Sequence, residues 1–428
     1  MTRLFYFLFL ILIISTSFAQ EVITDNIVSY TNIIINNIPT AEGTDDYVQP
    51  ELADLEKFGE SINLLIEKNY SEANTKAAEI GYKVFNVLDN SGSESNEYYV
   101  LRSNSGNLWG TFIINKYPKR KKLVIQIPHP KYDYNTGKQG IYVFKNTGAY
   151  AFFLSGTKRC NSSLLSDCSG STTACNPEGE AYRQSDPAHN VLCTFQKATE
   201  VFESSLDSMV YFQFHGFTQG SSDPAIIMSN GNNKTPDGID YLSLLRDELF
   251  SIDNSLTFVI AHEDVTWTKL TATTNTQGRL INGSSYPCYS YATKNSGRFI
   301  HLEQIRDGLR NYESDWLKMS TAIINIIPAD LINSIDNCDA LPTQFAISNY
   351  PNPFNASTVI LYQIPYEASV SIKVFDLLGR QMATLVNGRK SSGNHEVIFD
   401  GGNISSGIYL YTFEVGDVIK TSKMILLK

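Results

Sequence analysis

The sequence predicts an α/β domain with a mixed sheet in three layers, followed by a small all-β, Ig-like sandwich. Three observations carry that prediction. Continuous apolar runs of the buried-strand type recur through the centre of the chain, and helical patterns lie between them. Beyond about residue 344 the texture changes to short alternating strands divided by turns.

At 428 residues the chain is long enough for two folded domains plus processing segments. Met1-Thr2-Arg3 supplies one positive charge, Leu4 to Ile14 is unbroken apolar sequence, and Ser17-Phe18-Ala19 is a small-x-small cleavage signal. A span that short falls below the roughly 20 residues a membrane helix needs, so residues 1–19 read as a signal peptide. No later stretch reaches transmembrane length, so no integral membrane segment is expected in the mature chain.

Residues 20–94 form an irregular and helical segment. Up to about residue 48 it is polar, apart from Ile33-Ile34-Ile35. From Pro50 to about Val87 the spacing predicts two helices, split near Asn69-Tyr70-Ser71. The α/β domain spans 95–327. A hairpin is expected from Tyr98–Leu101 and Trp109–Ile114, then buried strands at Leu123–Ile127, Ala149–Leu154, Met209–Phe214 and Leu256–Ala261, with a weaker one at Arg298–Glu303. Tyr241–Phe250 and Trp316–Ile327 read as helices. Residues 328–343 are a linker, and 344–428 a sandwich with strands at Thr358–Tyr362, Val370–Phe375, His395–Phe399, Ile408–Phe413 and Ile419–Leu426.

The charge balance, 34 basic against 44 acidic residues, argues against a nucleic-acid partner, whose phosphates demand a basic surface. Six cysteines (Cys160, Cys168, Cys175, Cys193, Cys288, Cys338) lack the paired spacing of a structural zinc site. Four of them crowd a Ser/Asn/Gly-rich stretch, which favours two local disulfides in an oxidising compartment.

Tyr350-Pro351-Asn352-Pro353-Phe354-Asn355, then Val374-Phe375-Asp376-Leu377-Leu378-Gly379-Arg380, Ser406-Gly407-Ile408-Tyr409 and the closing Lys423–Lys428, follow in order over 344–428. This run resembles the C-terminal sorting domain of type IX secretion substrates. The resemblance implies a Bacteroidetes-type bacterium, a type IX secretion machinery as partner, and release or surface attachment outside the cell. Asn355 is followed by Ala356 where the family has proline.

Chemistry is expected in the α/β domain, where five of the six histidines lie. His129 follows the strand Leu123–Ile127, His215 follows Tyr211–Phe214, and Glu303 ends Arg298–Glu303. In open α/β sheets, sites gather at the carboxyl ends of strands. Catalytic zinc takes three protein ligands of the His/His/carboxylate kind and keeps one position open. His129 with Asp133, four residues on in the same loop, and His215 from a later strand make such a set, with Glu303 as general base. The arrangement resembles the zinc carboxypeptidase-like amidohydrolases, nearest to the N-formylglutamate amidohydrolase type, over about residues 95–327. That resemblance implies a phosphorylase/hydrolase-like fold, a zinc cofactor and an amide substrate, small-molecule or peptide. The family carries its carboxylate three residues after the first histidine, where this chain has Tyr132, so Asp186 and Asp264 stand as alternatives to Asp133.

Arg159, His189 and Arg279 are candidate substrate contacts, since an arginine fork matches a carboxylate and His189 sits in a polar cluster before a helix. Lys158 and His262-Glu263-Asp264 are further candidates. No G-x-S-x-G elbow, phosphate loop or dinucleotide fingerprint occurs. The expectation is a secreted, zinc-dependent amide hydrolase. Its rival is a surface binding or adhesion protein without turnover.

Overall fold

The computed structural model describes residues 21–92, 95–330, 345–350, 352–416 and 418–427. The signal-peptide reading, most of the linker and Cys338 lie outside the described residues. The chain divides into two compact units, Met1–Ile327 and Pro328–Lys428.

The first unit runs β1 (Val22–Thr24), α1 (Ile27–Asn37), α2 (Leu52–Ile66), α3 (Tyr70–Ala78), β2 (Tyr82–Asp89), β3 (Asn96–Ser103), β4 (Thr111–Asn115) and β5 (Arg120–Ile127). It continues α4 (Thr136–Thr147), β6 (Ala149–Leu154), α5 (Thr194–Ser205), β7 (Val210–Gly216), β8 (Ile226–Ser229), α6 (Tyr241–Ile252), β9 (Phe258–Ile260), α7 (Thr276–Ile281), β10 (Phe299–Gln304) and α8 (Glu313–Ile326). Ten strands make one mixed sheet in the order β1-β2-β3-β4-β6-β5-β7-β10-β8-β9. Its centre, β6-β5-β7-β10, is parallel.

Alternation along these strands builds two cores, one on each face. Leu123, Ile125, Ile127, Phe212, Phe214, Ile300 and Leu302 face one cluster with residues of α1, α4, α6 and α8. Val124, Tyr211, Phe299, Phe112 and Phe153 face the other with residues of α2, α3, α5 and α7. Because both faces are covered, the central strands are apolar at nearly every position, which is why they read as unbroken runs. Among the buried polar residues of these strands, Gln126, Gln213, His215, His301 and Glu303 lie on the second face, while Gln304 lies on the first and bonds Gln139 of α4.

Two expectations change in the N-terminal segment. Part of the polar stretch up to about residue 48 is helical: Ile33-Ile34-Ile35 and its neighbours form α1, whose Asn26 side chain caps the first turn. The helical window does not run to Val87, because Tyr82–Asp89 is a strand with alternating burial. The disulfide pattern is also corrected. Cys160–Cys175 is local, whereas Cys168 joins Cys288 across 120 residues and Cys193 is free and buried. Among the described residues no helix is long and apolar enough to cross a membrane.

The second unit contains β11 (Ala346–Tyr350), β12 (Ser357–Ile364), β13 (Ala368–Asp376), β14 (Gln381–Lys390), β15 (Gly393–Asp400), β16 (Gly407–Val415) and β17 (Val418–Leu426). They form two antiparallel sheets, β11-β12-β15 and β14-β13-β16-β17. Ile360, Tyr362, Ile372, Val374, Tyr411, Phe413 and Met424 fill the core of this all-β unit.

Candidate functional site

The register of the central strands sets out the polar residues in two rows. Gln126 pairs with Gln213, and Gln213 with His301; two residues further on, His215 pairs with Glu303. Side chains two apart share a face, so β7 and β10 deliver His215 and Glu303 side by side at their carboxyl ends. The chain leaving β5 brings His129 to the same place. There it turns back at once: Asp133 N–H donates to the His129 carbonyl (3.0 Å), and Thr136 Oγ1 donates to the Asp133 carbonyl (2.8 Å). The Gly216 N–H then holds Asp133 Oδ2 at 3.2 Å. A Cβ on Gly216 would stand 2.2 Å from the Arg310 guanidinium carbon, so only glycine lets Arg310 cross the strand end and donate to the Tyr134 carbonyl.

Three atoms converge. His129 Nδ1 and His215 Nδ1 are 3.1 Å apart, and Asp133 Oδ2 lies 3.4 Å from each. All three side chains are buried, at 0, 4 and 3% exposure in chain order. The outer nitrogens are committed elsewhere. His129 Nε2 faces Asp186 Oδ1 at 2.8 Å, and His215 Nε2 faces Gln213 Oε1 at 2.9 Å. A carboxylate only accepts, so it takes the His129 Nε2 hydrogen. Gln213 is oriented by its own partners: Asn275 Nδ2 donates to Oε1 (2.6 Å), while Nε2 donates to Gln126 Oε1 (3.0 Å) and Gln277 Oε1 (3.2 Å). Its oxygen therefore takes the His215 Nε2 hydrogen, and both Nδ1 lone pairs turn inward toward Asp133.

Three electron-rich atoms at such separations need positive charge between them. Burial and Arg159 push the His129 imidazole down, but Asp186 and Asp133 outweigh them and hold it above its ordinary value. Burial pushes His215 down to about 4. Ligands held tetrahedrally at about 2.0–2.2 Å from zinc stand roughly 3.2–3.6 Å apart, and two imidazoles with one carboxylate are a zinc donor set. The residues present fit that ion.

Around this centre Asp186 is a hub. Its Oδ2 takes Arg159 Nη2 (2.5 Å) and Nε (3.1 Å) and lies 3.2 Å from His189 Nδ1. Burial works against its charge, yet Arg159 and the histidines hold the carboxyl well below its usual range. His189 in turn stacks flat on Tyr182, ring centroids 3.7 Å apart. Asp186 thus stands behind His129 rather than beside Asp133, and Arg159 and His189 reach the site through it. Glu303 is 7% exposed; burial and the nearby Asp133 push its carboxyl well above the usual range. Neither arginine near it in sequence pairs with it, since Arg298 bonds Glu203 and Arg306 bonds Asn311 and stacks on Tyr134.

Other candidates fall outside this group. Arg279 donates to the carbonyls of Thr273, Pro287 and Cys288 and to Ser169, fastening the loop that the Cys168–Cys288 disulfide also ties. Lys158 pairs with Glu42. His262 and Glu263 gather with Asp240, but Ser243 bridges the two carboxylates and Arg246 balances Glu263. Asp264 accepts from Thr266. Sequence reasoning passed over Gln213, whose place is visible only in the strand register.

A family model, the secretion system C-terminal sorting domain, matches residues 348–427. The tail marks this chain for export by type IX secretion, to the outer surface or the medium. No curated protein matches the chain. Among solved structures the chain is similar to PorZ, a surface component of the type-IX secretion system of Porphyromonas gingivalis, at 19% identity over 19% of this chain and 12% of that one, with a TM-score of 0.16. Latent dimeric PorU of the same organism shows 18% identity over 20% of this chain and 9% of that one, TM-score 0.18. The chain therefore spans about a tenth of the length of either. A Cellulomonas fimi endo-beta-1,4-mannanase double mutant is matched at 11% identity over 56% of this chain and 62% of that one, TM-score 0.15.

Proposed function

We propose that the first unit is a zinc-dependent amide hydrolase of the carboxypeptidase-like, phosphorylase/hydrolase-like kind, carried out of the cell by an Ig-like sorting tail. One observation carries the reading: two inward-facing Nδ1 atoms and one carboxylate oxygen within 3.1–3.4 Å of one another, beside a buried glutamate. His129, Asp133 and His215 would hold the metal. When bound, zinc supplies a Lewis acid and lowers the pKa of a water to about 7.

The chain's own residues supply the rest. Asp186 and Gln213 fix the two imidazoles with Nδ1 inward, so no ligand must turn before use. Glu303 would take the proton of the attacking water at its carboxylate and return it to the leaving nitrogen. Arg159 is held rigid by Asp186 and offers positive charge to the substrate's carbonyl or to an anionic group. Burial around these groups strengthens each electrostatic contact.

The test uses the exported full chain. Metal analysis should find about one zinc per chain, lost in the His129→Ala/His215→Ala double variant. Glu303→Gln should keep the zinc while hydrolysis of N-acyl amino acids and dipeptides falls by 100-fold or more. Zinc retained in the double variant overturns the ligand assignment. Zinc bound without turnover of any such substrate leaves a binding protein instead.

A further inference from the structure

The row Gln126–Gln213–His301 crosses three adjacent parallel strands on the second face of the sheet. Two of its members are bonded through both their oxygen and their nitrogen. Gln126 donates to Thr199 Oγ1 and accepts from Gln213, and Gln213 has four partners. The third is not. His301 is 4% exposed, its Nδ1 is buried with no hydrogen-bond partner, and its Nε2 stands 3.7 Å from Glu303 Oε1, beyond bonding distance. Its ring lies 4.5 Å from that of His215, centroid to centroid, so it belongs to the site's floor, one strand step deeper than Glu303.

A buried polar group left unpaired is destabilising, and a leucine there would avoid the loss. A ligand that completes the bonding explains why an imidazole occupies the place. Resting on the amide-hydrolase reading above, we infer that His301 is a specificity-determining residue that receives a neutral hydrogen-bonding side chain, a carboxamide or hydroxyl, on the residue next to the scissile amide. A neutral imidazole offers one N–H and one lone pair, which a carboxamide matches with its oxygen and its NH2. A carboxylate matches only the N–H and would lie beside the carboxyl groups of Glu303 and Asp133. An apolar side chain matches neither.

The experiment compares near-isosteric substrates, N-acetyl-X and Ala-X with X = Gln, Glu or Met, on zinc-loaded wild type and on His301→Phe and His301→Asn. Wild type should favour Gln over both others by tenfold or more in kcat/KM, as sites built around a hydrogen bond do. His301→Phe should erase that preference mainly through KM for the Gln substrates. His301→Asn, which retains a donor and an acceptor, should restore part of it, and zinc content should stay at one throughout. Turnover by wild type without the Gln preference, or an unchanged preference in His301→Phe, overturns the assignment of His301 while leaving the hydrolase reading intact. Failure of zinc-loaded wild type to cleave any of the six compounds overturns the hydrolase reading and this inference with it.

Discussion

Gln213→Leu tests whether the buried amide relay tunes the proposed metal ligands. Gln213 is wholly buried, and its side chain satisfies four groups: His215 Nε2, Asn275 Nδ2, Gln126 Oε1 and Gln277 Oε1. Leucine fills a similar volume and satisfies none. Four orphaned groups at about 1–3 kcal/mol each set an upper bound, and rotation of the Gln126 and Gln277 amides recovers part, so about 3–5 kcal/mol of stability should go. The metal effect is separate. With no acceptor on Nε2, His215 is free to take its other tautomer and turn Nδ1–H inward, where it cannot ligate. Loss of such an outer partner typically lowers affinity 10–100-fold, or about 1.4–2.8 kcal/mol. The assay is zinc competition against a chelator of known affinity, with urea melts for stability. Two companions separate causes. Gln213→Glu retains the acceptor and should bind zinc at least as well as wild type. Gln126→Met, one step removed from His215, should lose stability but stay within about threefold in zinc affinity. Wild-type affinity in a folded Gln213→Leu, or an equal loss in Gln126→Met, would refute the reasoning.

Removal of the Cys168–Cys288 bridge with paired serines should lower stability more than removal of Cys160–Cys175. The loops they close differ, 120 against 15 residues, which corresponds to about 5 against about 3 kcal/mol in the chain-entropy account; calorimetry of the two variants decides, and equal losses count against it. Acid should weaken the first unit partly through Asp89. Its buried carboxylate accepts the Ile27 N–H at the start of α1 and pairs with Lys145 at 2.8 Å. Burial alone would raise this carboxyl, but Lys145, Ser91 and the Ile27 N–H outweigh it and hold it below its usual value. A depressed native value means stability that is present above about pH 4 and lost as pH falls through the native value. Asp89→Asn should therefore be less stable at pH 7 and lose stability less steeply as pH falls below about 4 in urea melts; parallel pH profiles would remove Asp89 from the account.

The central strands were legible because a sheet covered on both faces leaves almost no polar residue to break the run, as in Leu123–Ile127 and Tyr211–Phe214. Elements whose pattern is diluted were not. α4 carries Gly137 and Gly140, poor helix formers in isolation, yet a Cβ at Gly140 would stand 2.3 Å from the Ile127 side chain, so glycine there lets helix and sheet close up. β14 is an edge strand with mostly exposed side chains, so Gln381–Lys390 shows little alternation. Helix α1 hides behind three consecutive isoleucines, because only Ile35 is buried among them while Ile33 is 58% exposed.

For the site, position after a strand marked His129 and His215, since a polar residue following a buried run has few other reasons to be there. What they touch was not legible. Asp186 lies 57 residues beyond His129, and Gln213 differs from any core glutamine only by its register with Gln126 and His301. The distinction has a physical basis. That a histidine stands at a strand end is a matter of residue type and position, which a sequence displays, whereas its orientation depends on hydrogen bonds between strands whose spatial order, β6-β5-β7-β10-β8, departs from chain order. The arginines show the consequence. As bare sequence Arg159 and Arg279 are equivalent candidates for an anionic group, but the chain after β6 delivers Arg159 to Asp186, while α7 closes Arg279 onto the carbonyls of its own loop. The same guanidinium chemistry holds the carboxylate partner of His129 in one place and fastens backbone in the other, and only the fold separates the two.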